Sequence, residues 1–376
     1  MTLHSLNALR VIAEFIVVSS HLTSVENSNK FPHSFGGAGA LMSFFFVLSG
    51  FVATYSSKSE GVNRHYLTRR LERTYPFFLL MWVLGLPAYV VDMYVRKRET
   101  CIVQRWIYVC LQPLCLEAFL GWYIEGSNTP LWYYTSLVFM WALYSRIDVK
   151  QWIGNHPLKW IVGLYVASLL LNCPFFIFDG STVQQLPLLH AFEFFTGCAA
   201  AVSFNQRKSI RGEIPAILFV LYIGYACCTV RWPQLWEHSV IDTELSCDFW
   251  QRQAEYSFQP GKLVTITSIV WVFVIHWVAS SEIRGDSNMA NRILQLDVFK
   301  SLAKFSLQVY LSHAVTGVWL EYTLRGLNIL EWFSKDFHVV FAYCTSYACS
   351  IYVQPRLDAL VASKTTNHQE KQSTTV

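Results

Sequence analysis

The chain has 376 residues, 53% hydrophobic, 16% aromatic and only 14% charged, with a formal net charge of +4. It is far more apolar and less charged than a soluble protein, and no nucleic-acid partner is expected; the net charge itself says little, since the placement of charge matters more than its sum. Apolar runs long enough to cross a bilayer recur from end to end, so the sequence reads as an all-α, polytopic integral membrane protein. The alternating ten-residue segments of a membrane barrel are absent.

In chain order, ten spans are predicted near 6–24, 38–56, 75–95, 131–147, 158–178, 186–204, 213–230, 262–281, 299–320 and 336–354. The first run has no basic leader or small-residue cleavage site, and is read as a span and not as a signal peptide. It holds the most informative pair in the chain, Arg10 and His21, inside LRVIAEFIVVSSH. Eleven steps of about 100° return to within about 20° of the starting direction and rise roughly 16 Å, so the two share one helix face near opposite ends of the span. Glu14 stands one turn beyond Arg10, within reach of an i,i+4 ion pair. Ionisable groups inside a bilayer are expensive, and by default they mark function.

One further apolar stretch, 106–124, carries Gln112, Pro113 and Glu117. Treating it as a span leaves 11 Lys and Arg on the candidate cytoplasmic side, whereas treating it as re-entrant or interfacial places 19 of the 29 there. The positive-inside rule selects the second arrangement, with ten spans and both termini cytoplasmic. Arg96, Lys97 and Arg98 then fall on the wrong side, with no account. The ten cysteines lie mostly in apolar runs and show neither a CxxC pair nor a disulfide framework, and no metal site is expected.

Two loops stand out. The first cytoplasmic loop sets Arg69, Arg70 and Arg73 at helical spacing ahead of the third span, with Pro76 expected in that span's first turn. Such a cluster serves topology, contact with anionic membrane lipids, or phosphate binding. The external loop 231–261 carries Trp232, Trp236, Phe249 and Trp250, which suit a membrane-surface belt and, less strongly, carbohydrate stacking.

Polar groups recur inside later spans. FFFVLSGF at 44–51 offers Ser49 and Gly50, small enough for close helix approach. PLLHAFEFFTG at 187–197 puts Glu193 three residues after His190. FSLQVYLSH at 305–313 places Ser306, Tyr310 and His313 on one helix face. Together these predict a polar chamber among the helices.

In this order, the motifs resemble the acyltransferase 3 family of membrane O-acyltransferases over nearly the whole chain. Arg10 and His21 are similar to its Arg-ten-residues-His signature, and FFVLSGF at 45–51 to its second-span motif. RRLERTYP at 69–76 resembles its basic loop, and NTPLWYYTS at 128–136 the segment around its tryptophan, here Trp132. LLHAFEFFTG at 188–197 resembles its Glu-Phe helix, FSLQVYLSH its Ser-Tyr-His helix, and YVQPRL at 352–357 its terminal Tyr-Pro segment. Two positions depart: Leu137 and Gln354 stand where many members carry a glutamate. The soluble hydrolase-like domain of many bacterial members finds no counterpart; 1–355 reads as the transmembrane domain and 356–376 as a polar, disordered cytoplasmic tail.

The resemblance implies transfer of an acyl group, often acetyl, from cytoplasmic acyl-CoA as co-substrate to a hydroxyl of a carbohydrate or lipid-linked acceptor, with no bound cofactor. His21 would act as general base or acyl carrier. Glu14 or Glu193 would orient it or balance its charge. Arg10, Arg69, Arg70 and Arg73 would bind the donor's phosphates. Ser49, Trp132, Ser306, Tyr310 and His313 would line the chamber. The competing reading is a proton-coupled transporter on the same bundle, though no inverted repeat is visible. The terminal TTV is a weak match to peptides captured through a free carboxylate. Nothing distinguishes the plasma membrane from an endomembrane.

Overall fold

In the computed structural model, residues 3–22, 37–57, 62–95, 102–120, 130–178, 186–206, 264–285, 289–327 and 335–373 are described; all their regular elements are helical, and no strand occurs among them. The expected span at 213–230, the aromatic loop 231–261 and the Arg96–Lys97–Arg98 cluster lie outside the described residues. The helices are α1 (His4–Leu22), α2 (Gly37–Ser56), α3 (Tyr66–Val95), α4 (Ile102–Leu111), α5 (Leu131–Tyr144), α6 (Val149–Ile153) and α7 (Pro157–Phe178). There follow α8 (Pro187–Asn205), α9 (Val264–Arg284), α10 (Met289–Leu294), α11 (Asp297–Ala303), α12 (Ser306–Gly326) and α13 (Lys335–Ser373). Two described stretches, Tyr66–Val91 and Pro187–Asn205, are long and apolar enough to cross a membrane; Leu41–Ser56 and Pro157–Leu171 are shorter apolar helices.

At the centre, α2 packs along α8, with α7 covering the far side of α8 and α9 lying against α2. Phe44, Phe46, Val47, Leu48 and Phe51 of α2 and Phe194, Cys198 and Ala199 of α8 are all but sealed from solvent. Beside this pair stand α1 and α5, and α12 packs on α1, α3 and α13. The first turn of α1 is anchored from another helix. Glu282, near the end of α9, accepts from the backbone N–H of His4 at 2.8 Å and of Ser5 at 2.9 Å. It thereby satisfies two donors that a helix start leaves without intrahelical partners.

The segment expected to be re-entrant does not form a continuous helix. α4 has ten residues, a rise of about 15 Å against the roughly 30 Å of a hydrocarbon core. Two short 3-10 turns, Gln112–Leu114 and Glu117–Leu120, follow it around Cys115, whose φ is 54°. This corner docks on its neighbours: Tyr75 donates to the Pro113 carbonyl at 2.7 Å, Trp82 to the Val109 carbonyl at 3.1 Å, and Thr135 to the Glu117 carboxylate at 2.6 Å.

Three boundaries differ from expectation. α3 begins at Tyr66, so the arginine cluster forms its first turns and Pro76 lies inside the helix, not in its first turn. The run LTRRLER consists mainly of strong helix formers and extends the helix backwards past the apolar stretch. The stretch expected as one span at 299–320 is broken into α11 and α12. Charged Asp297 and Lys300, paired at 2.7 Å, and Lys304 hold α11 at the surface while α12 turns inward. Finally, α13 runs through Pro355 to Ser373, where a disordered tail was expected from 356. No glycine or further proline interrupts 356–373, and its Leu, Ala, Lys, Gln and Glu favour helix.

Candidate active site

The side chain of Arg10 in α1 and that of Arg70 in α3 open onto one cavity of about 140 Å³. Helical periodicity explains how five elements contribute to it. α1 supplies Arg10 and Glu14, one turn apart; α2 supplies Phe45, Leu48, Ser49 and Val52 at i, i+3, i+4 and i+7; α5 supplies Tyr133, Leu137 and Trp141 at four-residue steps. Tyr66 and Arg70 come from the first turns of α3, and Ser306, Leu307 and Tyr310 from the start of α12. The lining therefore combines apolar and aromatic side chains with two guanidinium groups, a carboxylate and hydroxyls.

The two cations are held differently. Arg70 donates to the Tyr66 hydroxyl at 3.3 Å and lies over the rings of Tyr66 at 5.2 Å and Trp141 at 5.8 Å. A guanidinium stacked on aromatic faces keeps most of its donors for a ligand. Arg10 and Glu14 do not form the expected i,i+4 ion pair, and among the described residues neither joins any other. Glu14 is 1% exposed, faces Ser306 across the cavity, and makes no well-formed hydrogen bond at either carboxylate oxygen. The helix backbone carries both residues to the same cavity but leaves their charged ends apart.

A second polar cluster lies beside the cavity. Glu193 accepts from Ser43 at 2.9 Å and meets His190 Nδ1 at 2.8 Å, all three groups being buried. The His190 ring stacks on Phe46 at 4.3 Å, with Trp132 at 5.7 Å. Phe46 also packs on Tyr133 of the cavity wall at 5.0 Å. An aromatic layer thus stands between the two polar groups, in place of the single chamber expected from the sequence.

A family model described as an acyltransferase domain matches residues 3–353. The chain belongs to the acyltransferase 3 family. It is an acyltransferase, with a matched region that contains both polar clusters. No curated protein and no solved structure matches the chain.

Within this acyltransferase, Arg10, Glu14, Arg70, Ser49, Ser306 and Tyr310 meet at one cavity. The other residues singled out from the sequence lie elsewhere. Arg69 is exposed and donates to the Asn63 side chain at 2.9 Å, and Arg73 is exposed, with its carbonyl accepting from Gln354 at 2.9 Å. Trp132 and Glu193 belong to the second cluster. His313 is buried, with Nδ1 on the Tyr310 carbonyl of its own helix, and is not part of the cavity lining. His21 falls in the last turn of α1, and its side chain lies outside the described residues.

Sequence reasoning missed Tyr66, Tyr133 and Trp141. The signal was present: Tyr66 is one turn before Arg70, while Tyr133 and Trp141 flank Leu137 at helical steps. Leu137, which departs from the family pattern, is itself in the cavity wall. Gln354, the other departure, sits among Gln308, the Arg73 carbonyl and Asp358, where it ties α13 to α12 and α3.

Proposed function

We propose that this acyltransferase is a multi-pass membrane enzyme with ten spans, both termini cytoplasmic and the 106–124 segment not crossing. In this reading it moves an acyl group, acetyl in the simplest case, from cytoplasmic acyl-CoA to a hydroxyl of a carbohydrate or lipid-linked acceptor at or beyond the membrane. The observation that carries it is the charge of the cavity. Two guanidinium groups from different helices share it with one carboxylate, an excess of positive charge that calls for an anionic ligand. Arg70, flanked by the exposed Arg69 and Arg73, suits the donor's phosphates at the cytoplasmic mouth. Arg10 enters the same cavity from α1, and the apolar side chains of Phe45, Leu48 and Leu137 suit an acyl-pantetheine arm.

His21 is the group assigned to the transfer. A hydroxyl is a poor nucleophile at neutral pH, and attack on a thioester needs a base or a prior acyl-enzyme. Whether His21 takes the acceptor's proton or first carries the acyl group, the net step is the same. The acceptor oxygen bonds to the acyl carbon, the carbon–sulfur bond breaks, and the coenzyme A thiolate leaves and recovers the proton. α1 links the two ends: eleven residue steps, roughly 16 Å of rise, run from Arg10 to His21 on one unbroken helix. Glu14 is seven residues from His21, roughly 10 Å, which suits charge balance at a distance better than direct contact. Glu193, which meets His190 and Ser43, suits a positioning role near the acceptor side.

The test is turnover of labelled acetyl-CoA by the purified protein, with His21→Ala and Arg10→Ala beside the wild type. Loss of turnover with donor binding retained at His21→Ala, and weakened donor binding at Arg10→Ala, are the expected results. Unchanged thioester turnover in His21→Ala would overturn its role. Substrate flux into vesicles without thioester loss would establish the transporter instead.

A further inference from the structure

The cavity contains an acid and a base that attract each other without closing an ion pair. Arg10 and Glu14 sit one turn apart on α1 and line the same space, yet neither forms an ion pair among the described residues. Glu14 is almost fully buried, and both of its oxygens lack a well-formed hydrogen bond. A buried carboxylate left in this state is costly, and it is tolerated where a ligand supplies the missing donor. Ser306 faces it across the cavity, and one hydroxyl can donate only one hydrogen bond. The partner that fits must therefore present an N–H or O–H to Glu14 and an acceptor to Arg10, side by side, in a narrow cavity with an apolar wall.

An amide has this pair of groups in one rigid plane: its N–H donates and its carbonyl accepts. The pantetheine arm of coenzyme A carries two amides along an otherwise flexible chain. We propose that Glu14 and Arg10 grip one amide of that arm, Glu14 taking the N–H and Arg10 the carbonyl oxygen, and so fix how far the thioester reaches along α1 toward His21. The inference rests on the acyl-CoA reading above, and it gives Glu14 a donor-positioning role distinct from the transfer step. It also separates the two arginines. Arg70, stacked on Tyr66 and Trp141, holds charge at the mouth, and Arg10 reads a neutral dipole within.

The experiment compares acetyl-CoA with two synthetic acetyl donors, each having one pantetheine amide replaced by an ester, which removes the N–H and keeps the carbonyl. Wild type is expected to lose about ten- to a hundred-fold in kcat/KM with one of the two analogues, the range for a hydrogen bond to a charged group. Glu14→Ala should erase the difference between that analogue and acetyl-CoA. Glu14→Gln, which keeps the shape and a neutral acceptor, should retain a smaller preference, so a misfolded alanine variant does not decide the matter. Equal use of all three donors by wild type overturns the proposal, as does undiminished discrimination in Glu14→Ala. An acetamido sugar acceptor offers the same N–H and carbonyl; a Glu14 effect that follows the acceptor's amide and ignores the donor's would move the grip to the acceptor. If folded wild type neither binds nor turns over acetyl-CoA, the donor reading itself fails, and this inference falls with it.

Discussion

Gly50 of α2 and Gly197 of α8 each sit directly against the backbone of the other's helix. A Cβ on Gly50 would come within 1.8 Å of the Phe194 carbonyl oxygen, and one on Gly197 within 2.0 Å of the Val47 carbonyl oxygen. The obstacles are backbone atoms, which cannot swing aside as a side chain would. Backbone contact of this kind is what small residues permit between helices. The second polar cluster depends on it, because Ser43 and Phe46 from α2 meet Glu193 and His190 from α8 along the same helix pair.

Gly50→Ala and Gly197→Ala should therefore each force the pair apart by an ångström or more. Overpacking of this kind costs about 1–3 kcal/mol, and more where backbone must move. Thermal unfolding of the purified variants in detergent should show a clear drop in Tm, together with reduced acyl transfer. An unchanged Tm for both variants would contradict the packing described.

The arginine cluster should separate by position on α3. Arg70 lines the cavity, whereas Arg69 is exposed and bonded to Asn63. Arg70→Ala should weaken coenzyme A binding by about tenfold or more, in line with the loss of a charge-assisted contact. Arg69→Ala should change it by less than about threefold, as expected of a solvent-screened charge. Arg70→Lys should fall between them, since an ammonium stacks less well on Tyr66 and Trp141. Titration calorimetry with coenzyme A gives the ranking, and an equal loss at positions 69 and 70 would remove Arg70 from its special place.

Much of this geometry was legible in the sequence, for a physical reason. Helical periodicity fixes which residues of one helix share a face, so Arg10 with Glu14 and Ser306 with Tyr310 could be placed together from spacing alone. Periodicity does not say how far along a partner helix a face will dock. That is why His313, three residues beyond Tyr310, was expected in the chamber and instead sits on its own helix's carbonyl. Nor does it say whether neighbouring charges meet: Arg10 and Glu14 satisfy the i,i+4 rule and still stay apart. The division into two polar clusters depended on Phe46 contacting both Tyr133 and His190, a relation among three helices that no single segment encodes. The start of α3 was misjudged because hydropathy marks where a helix becomes apolar, not where its backbone begins.

Glu193 ties α8 to α2 through few atoms, and its removal should be worse than its neutralisation. Glu193→Ala leaves the Ser43 hydroxyl and His190 Nδ1 without this acceptor, at a cost of about 1–3 kcal/mol for buried groups left unsatisfied. Glu193→Gln keeps an acceptor and the volume, and should lose less stability. If Glu193 also positions His190 for the acceptor, Glu193→Gln should lower kcat for acyl transfer at least tenfold while donor KM barely moves. A purely structural role predicts loss of Tm in step with activity and no such split.

Glu282 reaches from the end of α9 to the first turn of α1, and through that turn it bears on the cavity that Arg10 lines. Its two oxygens accept from the His4 and Ser5 N–H groups, so Glu282→Ala leaves two donors at a helix start without their acceptor. Caps of this sort are worth about 0.5–2 kcal/mol, with a negative charge at the N-terminus adding favourably to the helix dipole. Arg10 lies six residues from His4, less than two turns along the same helix, so fraying from that end loosens the guanidinium that faces the cavity. Hydrogen exchange over residues 4–9 should speed up in Glu282→Ala, and donor KM should rise severalfold with kcat nearly unchanged. Glu282→Gln, which keeps one accepting oxygen but turns the other into an N–H donor and lacks the charge, should recover only part of the protection. If exchange is unaltered in Glu282→Ala, α1 is held from another point and the link from α9 to the Arg10 cavity does not operate.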